Sequence, residues 1–157
     1  IYLIKGASMF LPSTRKKARE LLVQALYQES VSGAEASVIE AEFSANNNMR
    51  KVDIEFFSEL LHGIINKPEE IDSTYTKYLD RESFSLDLIS KVLLRIGSYE
   101  LCFRIDIPYK VAINEAVNLA KKFGPTGTYK YVNRILDMVA LENRAIEMKN
   151  KVIEKKV

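Results

Sequence analysis

Apolar side chains recur along this chain every three or four residues, the spacing that gathers them on one face of an α-helix. Between Ser13 and Ser30, Ala18, Leu21, Leu22, Ala25 and Leu26 form such a face, with Ser13 or Thr14 placed to cap its start. Ala34 to Phe43 is a weaker second helix carried by Val38, Ile39 and Phe43, and Asn46-Asn47-Asn48 reads as a loop. Asp53 caps a third helix reaching about Asn66, whose wide stripe of Phe56, Phe57, Leu60, Leu61, Ile64 and Ile65 predicts deep burial. Pro68 suits the first turn of a fourth helix, with Ile71, Tyr75, Tyr78 and Leu79 on one side.

The second half repeats the pattern. Ser85 opens a fifth helix to about Arg104, with Leu86, Ile89, Leu93, Ile96 and Cys102 or Phe103 inward. Asp106 and Pro108 start a sixth, whose buried face of Ala112, Ile113, Ala116, Val117 and Ala120 is small enough for close helix approach; Gly124 and Pro125 end it. Thr128 caps a seventh, with Val132, Ile135, Leu136 and Val139 inward, and the Lys/Glu-rich tail from Lys149 is expected to fray. No stretch alternates with period two long enough to be a strand. The reading is all-α: about seven helices in one domain over residues 9–148, arranged as two sub-bundles meeting near residue 80.

Composition adds bounds. At 157 residues, 47% apolar and 28% charged, the chain has the make-up of an ordinary globular domain. A net charge of +2 does not by itself mark a nucleic-acid binder, so basic residues matter here only through clustering. The single cysteine, Cys102, permits no internal disulfide and fits a reducing compartment. No apolar run approaches the ~20 residues of a membrane span. Residues 1–8 precede Met9, a plausible native start, and make a poor signal peptide; they read as an appended stretch or unusual leader. A cytoplasmic location is expected.

Catalytic chemistry is sparse. His62, the lone histidine, lies in the apolar third helix and reads as a boundary residue. Cys102 reads as a small core side chain, and no Cys/His spacing suits zinc. GPTGTYK at 124–130 lacks the Gly-Lys-Ser/Thr of a phosphate loop and follows a helix rather than a strand. No enzyme activity, metal or cofactor is expected.

Two basic clusters remain. TRKKARE at 14–20 places Arg15, Lys16, Lys17 and Arg19 at a helix start, where the macrodipole disfavours cations. That local cost suits charges that face an anion such as a nucleic-acid backbone; a solvated helix start is the plainer alternative. TYKYVNR at 128–134 interleaves Tyr129, Lys130, Tyr131 and Arg134. Such mixtures bind single-stranded nucleic acid, cations holding phosphates while rings stack on bases; alternatively one tyrosine is core and the other covers the helix start. Lys121 and Lys122, just before Gly124, are explained by the dipole at a helix C-terminus.

Five segments taken together resemble the NusB family: RKKARELLVQALYQ at 15–28, VDIEFFSELLHGI at 52–64, LRIGSYE at 94–100, DIPYKVAINEAVNLAKKFG at 106–124 and KYVNRILD at 130–137. They run in order from residue 12 to about 140. The resemblance implies an all-α fold of two packed helical sub-bundles and a non-enzymatic RNA-binding factor, found as monomers or homodimers. It implies a partner, NusE (also the small-subunit ribosomal protein S-ten). The pair would recognise single-stranded boxA RNA in nascent ribosomal RNA leaders and help RNA polymerase resist termination.

Carried over by position, the resemblance gives Arg15, Lys16, Lys17, Arg19, Gln24, Tyr27, Lys130 and Tyr131 as RNA-contact candidates, Tyr131 for base stacking. It gives Ser90, Lys91, Arg95 and Tyr109 as partner-contact candidates. The chain departs from the family pattern in two ways that bear on RNA. Lysine at two basic positions offers fewer bidentate phosphate forks, and Arg134 stands where a small residue is usual. Gly127 and Thr128 occupy a loop that is often more polar or acidic, and Ser90 stands where an acidic residue can aid partner docking. Two alternatives stay open: an interaction module without RNA specificity, and an accessory domain of an RNA cytosine methyltransferase.

Overall fold

The structure is a computed structural model that describes residues 11–80 and 86–156. Its described residues form eight α-helices and no strand. They belong to two compact units, the first ending at Pro68 and the second beginning at Glu69, rather than dividing near residue 80.

The first unit holds α1 (Pro12–Ser32), α2 (Ala36–Asn46), a 3-10 turn (Met49–Lys51) and α3 (Ile54–Asn66). α1 packs chiefly on α3, and α2 lies against both. The interior is the stripe expected of α1 and α3: Ala18, Leu22, Ala25, Phe57, Leu60 and Leu61 are all fully enclosed. α2 contributes Ile39, while Val38 is 47% exposed and Phe43 is half-buried, so its apolar face is narrower than the sequence predicts; Ile65, near the end of α3, is also half-buried. Neither Ser13 nor Thr14 caps α1. Pro12 is its first residue, where its fixed φ suits a helix and its missing N–H costs nothing. Thr14 instead donates its hydroxyl to the Leu11 carbonyl at 2.8 Å. Asp53 does cap α3, its carboxylate accepting the Phe56 N–H at 3.1 Å.

The second unit holds α4 (Pro68–Tyr75, its proline being the last residue of the first unit), a 3-10 turn (Thr76–Tyr78), α5 (Leu88–Phe103), α6 (Tyr109–Phe123), α7 (Thr128–Asn143) and α8 (Ala145–Lys156). α5, α6 and α7 pack against one another, and α8 follows α7. Leu93, Ile96, Ala112, Ala116, Val132, Ile135, Leu136 and Val139 are enclosed as expected; Ile89, Cys102 and Val117 are half-buried, and Phe103 is exposed. Gly97 permits the α5–α7 approach, since a Cβ there would lie 2.5 Å from Leu136 Cδ1. Ser85, expected to open α5, lies outside the described residues; Asp87 caps the helix by accepting the Ser90 N–H at 3.0 Å. α7 begins after Gly127, whose φ of +88° a side chain would strain, so Thr128 is its first residue and not its cap. The charged run from Lys149, expected to fray, is helical in backbone through Lys156.

One buried cation ties the ends of these helices together. Arg144, 3% exposed, donates to the carbonyls of Glu100, Leu101 and Arg104 at 3.1, 2.8 and 2.9 Å, the C-terminal end of α5. Its remaining nitrogen donates to Glu147 Oε2 at 2.6 Å, and Glu147 Oε1 accepts the first N–H of α6, from Tyr109, at 3.2 Å. A helix end leaves its last carbonyls without intrahelical partners. Here one guanidinium gives Leu101 a donor and adds a second donor to Glu100 and Arg104, whose carbonyls also accept the Arg104 and Ile107 N–H groups, and it is itself neutralised, which makes its burial tolerable.

Candidate nucleic-acid interface

The first turns of α1 place the four expected cations in two different settings. Arg15 and Arg19 lie over the same aromatic ring, each guanidinium 5.0 Å from the centre of Phe56. Arg15 also sits 3.3 Å from Asp53 Oδ2 with its side chain only 15% exposed. Asp53 therefore has two tasks: one oxygen caps α3 and the other holds Arg15. Its own N–H donates to the Thr14 carbonyl at 3.1 Å, fastening the start of α3 to the start of α1. Arg19, carried over as an RNA-contact candidate, is 3% exposed and is part of the α1–α3 packing. Its alkyl stem and planar head fill the space over a buried ring, a use of arginine that needs no external anion.

Lys16 and Lys17 are exposed, as are Gln24 and Tyr27. Helical steps of three and four residues run from Lys16 through Glu20 and Gln24 to Tyr27, with Lys17 at the margin, so these residues share one face of α1. Tyr27 is 44% exposed, and Gln24 Nε2 donates to the Glu20 carbonyl at 3.4 Å. The face thus offers two ammonium groups, an amide and an open ring, with one carboxylate, Glu20, among them.

In the second unit the start of α7 carries Lys130, exposed, and Tyr131, half-buried. The Arg134 guanidinium lies 5.2 Å from the Tyr131 ring centre and 3.2 Å from Asp80 Oδ2. Lys130 Nζ lies 5.9 Å from the ring of Tyr129, and Lys121 Nζ, from the end of α6, lies 5.0 Å from the same ring. Tyr131 also lines a cleft of about 220 Å³ with Ser90, Gly127 and Thr128.

The four partner-contact candidates do not form one open surface. Ser90 is 2% exposed and donates its hydroxyl to Asp87 Oδ1 at 2.6 Å, so it belongs to the cap of α5 and is withdrawn from any partner. Arg95, another of these candidates, makes a two-pronged contact with Asp72, Nε to Oδ1 at 2.8 Å and Nη2 to Oδ2 at 2.7 Å, and so is engaged within its own unit. The Tyr75 hydroxyl donates to the same Asp72 oxygen at 2.7 Å. Burial raises the Asp72 carboxyl, but the hydrogen bonds from Arg95 and Tyr75 outweigh it and hold the group below its ordinary 3.8. Burial and the Asp72 charge push the Tyr75 hydroxyl far above its ordinary 10.0. Lys91 is half-buried and adds to the positive field on Asp72; Tyr109, also half-buried, opens α6.

Sequence reasoning missed three features of these clusters. Asp53 was legible as a cap but not as the seat of Arg15, because those residues meet only through folding. Phe56 was legible as core but not as the ring beneath two arginines. Lys121 was read as a dipole partner, with no local signal of its approach to Tyr129.

The sequence model of the NusB family matches residues 16–141. The chain belongs to the NusB family. That match reaches from Lys16 on the outer face of α1 to Leu141 near the end of α7, and so takes in every candidate residue except Arg15. Among curated relatives, the transcription antitermination protein NusB of Alcanivorax borkumensis is 47% identical over 136 residues, covering 87% of this chain and 91% of that protein. The proteins of the same name from Teredinibacter turnerae and Shewanella halifaxensis are each 46% identical, covering 86% and 85% of this chain and 92% and 98% of theirs. A solved structure of T. maritima NusB superposes with a TM-score of 0.74 at 29% identity, covering 85% of this chain and 94% of that one. Among the described residues no three His, Cys, Asp or Glu gather as a metal site requires, and no helix is long and apolar enough to cross a membrane.

Proposed function

We propose that this chain is a transcription antitermination factor that binds single-stranded boxA RNA together with NusE and helps RNA polymerase resist termination. The observation that carries the RNA-binding reading is the outer face of α1, where Lys16, Lys17, Gln24 and Tyr27 stand exposed beside an arginine fixed by Asp53 and Phe56. Lysines reach phosphates, and the exposed ring offers a surface for an unstacked base. Arg15 keeps a partial role at the edge of this face, whereas Arg19 acts from within as support. In the second unit Lys130 and Tyr131 are the corresponding contacts.

The role is one of binding rather than catalysis. The partner reading narrows to Lys91 and Tyr109 as contacts with NusE, because Ser90 and Arg95 are engaged at home.

A titration of fluorescent boxA RNA, with and without NusE, at two salt concentrations, tests the proposal. Linkage requires that a partner which favours the RNA-bound state tighten RNA binding. With two to four phosphates contacted, the affinity should fall with a log–log salt slope of about −1.4 to −2.8, at roughly −0.7 per phosphate. Equal binding to a scrambled RNA, or a flat salt dependence, leaves the interaction-module reading in its place.

A further inference from the structure

We propose that Tyr129, held between Lys121 and Lys130, is a second base-stacking position for single-stranded RNA, distinct from Tyr131. The proposal rests on the RNA-binding reading above and extends it to a new ring and to a cation on the preceding helix.

The arrangement of charge around the ring carries it. Lys121 comes from the last turn of α6 and Lys130 from the first turn of α7, and their ammonium groups lie 5.0 and 5.9 Å from the centre of the same tyrosine. Both lysines are exposed, and Tyr129 is only half-buried. Two other exposed cations of this unit, Lys77 and Arg134, also lie over tyrosine rings, but each is paired with a carboxylate as well, Glu142 and Asp80. Lys121 and Lys130 instead have the tyrosine ring as the partner the structure gives them. A cation resting on an exposed ring is held weakly and is readily drawn off by a phosphate. When it leaves, the ring face it covered becomes available to a base. One exchange would thus supply both a backbone contact and a stacking surface.

Position on the helix gives the strand a path. Residues two apart on a helix do not share a face, so Tyr129 and Tyr131 point to different sides of the first turn of α7. Lys130 lies between them in sequence and in helical angle. A strand crossing the start of α7 would meet Lys130 with its backbone and splay one base toward each tyrosine. Single-stranded RNA is commonly read through bases unstacked in this way. Lys122, 5.6 Å from the Phe123 ring, continues the positive track along the end of α6.

The test uses the full chain and a short fluorescein-labelled single-stranded boxA RNA. Tyr129→Leu, which keeps bulk but removes the stacking face, should weaken binding roughly 5- to 150-fold, the range that stacking of one base supplies. Tyr129→Phe should bind like the unaltered chain. Lys121→Gln should reduce the magnitude of the salt slope by about 0.7, one phosphate's share. In the unaltered chain, RNA bearing 5-iodouridine should photo-crosslink to Tyr129, a readout that holds even if Tyr129→Leu folds poorly. If Tyr131→Leu weakens binding while Tyr129→Leu does not, and no crosslink maps to Tyr129, the second position is wrong and the RNA-binding reading stands. If the unaltered chain binds no RNA, both fall.

Discussion

The two basic helix starts, one in each unit, look alike in sequence and differ in what holds their cations. At the start of α1 the arginines are set into the protein: Arg15 on Asp53 and Phe56, Arg19 enclosed over the same ring. Only the lysines stand outside. At the start of α7 Lys130 and Arg134 are exposed, resting on tyrosine rings that are themselves half in solvent. The macrodipole disfavours cations at both starts. In α1 the cost is offset by a carboxylate and a buried ring; in α7 it is offset by half-buried rings and by Asp80. A run of basic residues therefore says little about which side chain meets an anion. In α1 it is arginine, with a planar and weakly hydrated head, that the fold absorbs while lysine stays in water; in α7 Arg134 stays exposed.

The widest separation between the regions should come from removing an enclosed cation. Arg19→Ala leaves Phe56 and the space beside it unfilled, and should cost about 2–4 kcal/mol of stability, in the range of large-to-small changes in a core. Urea unfolding of the variant gives the number. RNA affinity per folded molecule should stay close to that of the unaltered chain, and a large loss of affinity without loss of stability would return Arg19 to the list of RNA contacts.

Asp72 extends the comparison, since it holds Arg95 in the second unit much as Asp53 holds Arg15 in the first. Asp72→Asn should cost roughly 1.5–3 kcal/mol at neutral pH, the scale of hydrogen bonds to a charged group. The folded-state pKa of Asp72 lies below its ordinary value, so its contribution is present above that value and is lost as pH falls through the lowered one. The difference between the two proteins should therefore be largest near neutrality and shrink in acid below the ordinary 3.8. Tyr75 acts on the other side: its raised pKa leaves stability untouched below 10.0 and lowers it above, as the unfolded chain ionises first. A stability difference independent of pH between 2 and 7, about the ordinary carboxyl range, would show that the Asp72 charge is not what holds Arg95.

These contrasts also mark what the sequence could tell. Helix order and most core faces were legible because each is a local matter of periodicity: Phe57, Leu60 and Leu61 on one helix, or Ile135, Leu136 and Val139 on another, declare their side without reference to the rest of the chain. Caps were legible when a carboxylate stood at the right place, as with Asp53, and misread when a backbone device did the work, as with Pro12 and Gly127. The site was legible by residue type and illegible by exposure. Nothing near Arg19 announces that Phe56 will arrive above it, and nothing near Ser90 separates a docking serine from one that Asp87 holds in a cap. Arg144 is the extreme case. It reads as one more charge near a polar end, yet it is buried against carbonyls some forty residues earlier in the chain.

The exposed residues should give smaller effects, confined to binding. Tyr131→Leu should weaken RNA binding by about 1–3 kcal/mol, the worth of one stacked base, in the same fluorescence titration. If it leaves RNA affinity unchanged, the half-buried ring belongs to the cleft it lines with Ser90 and Gly127 rather than to the RNA surface.

The least effect on the protein itself should come from the lysines of α1. Lys16→Gln with Lys17→Gln alters two exposed side chains, so stability should change by no more than about 0.5 kcal/mol. The magnitude of the salt slope of RNA binding should drop by about 1.4, two phosphates at roughly 0.7 each. Arg15→Lys is the companion measurement, because it keeps the charge count while giving up the planar head that fits between Asp53 and Phe56. If Arg15 works mainly as a seat for the helix start, Arg15→Lys should lower stability and leave the slope alone, opposite to the lysine pair. If both variants change the slope and neither changes stability, the arginine reaches the RNA too, and the division between fixed arginines and reaching lysines holds for Arg19 alone.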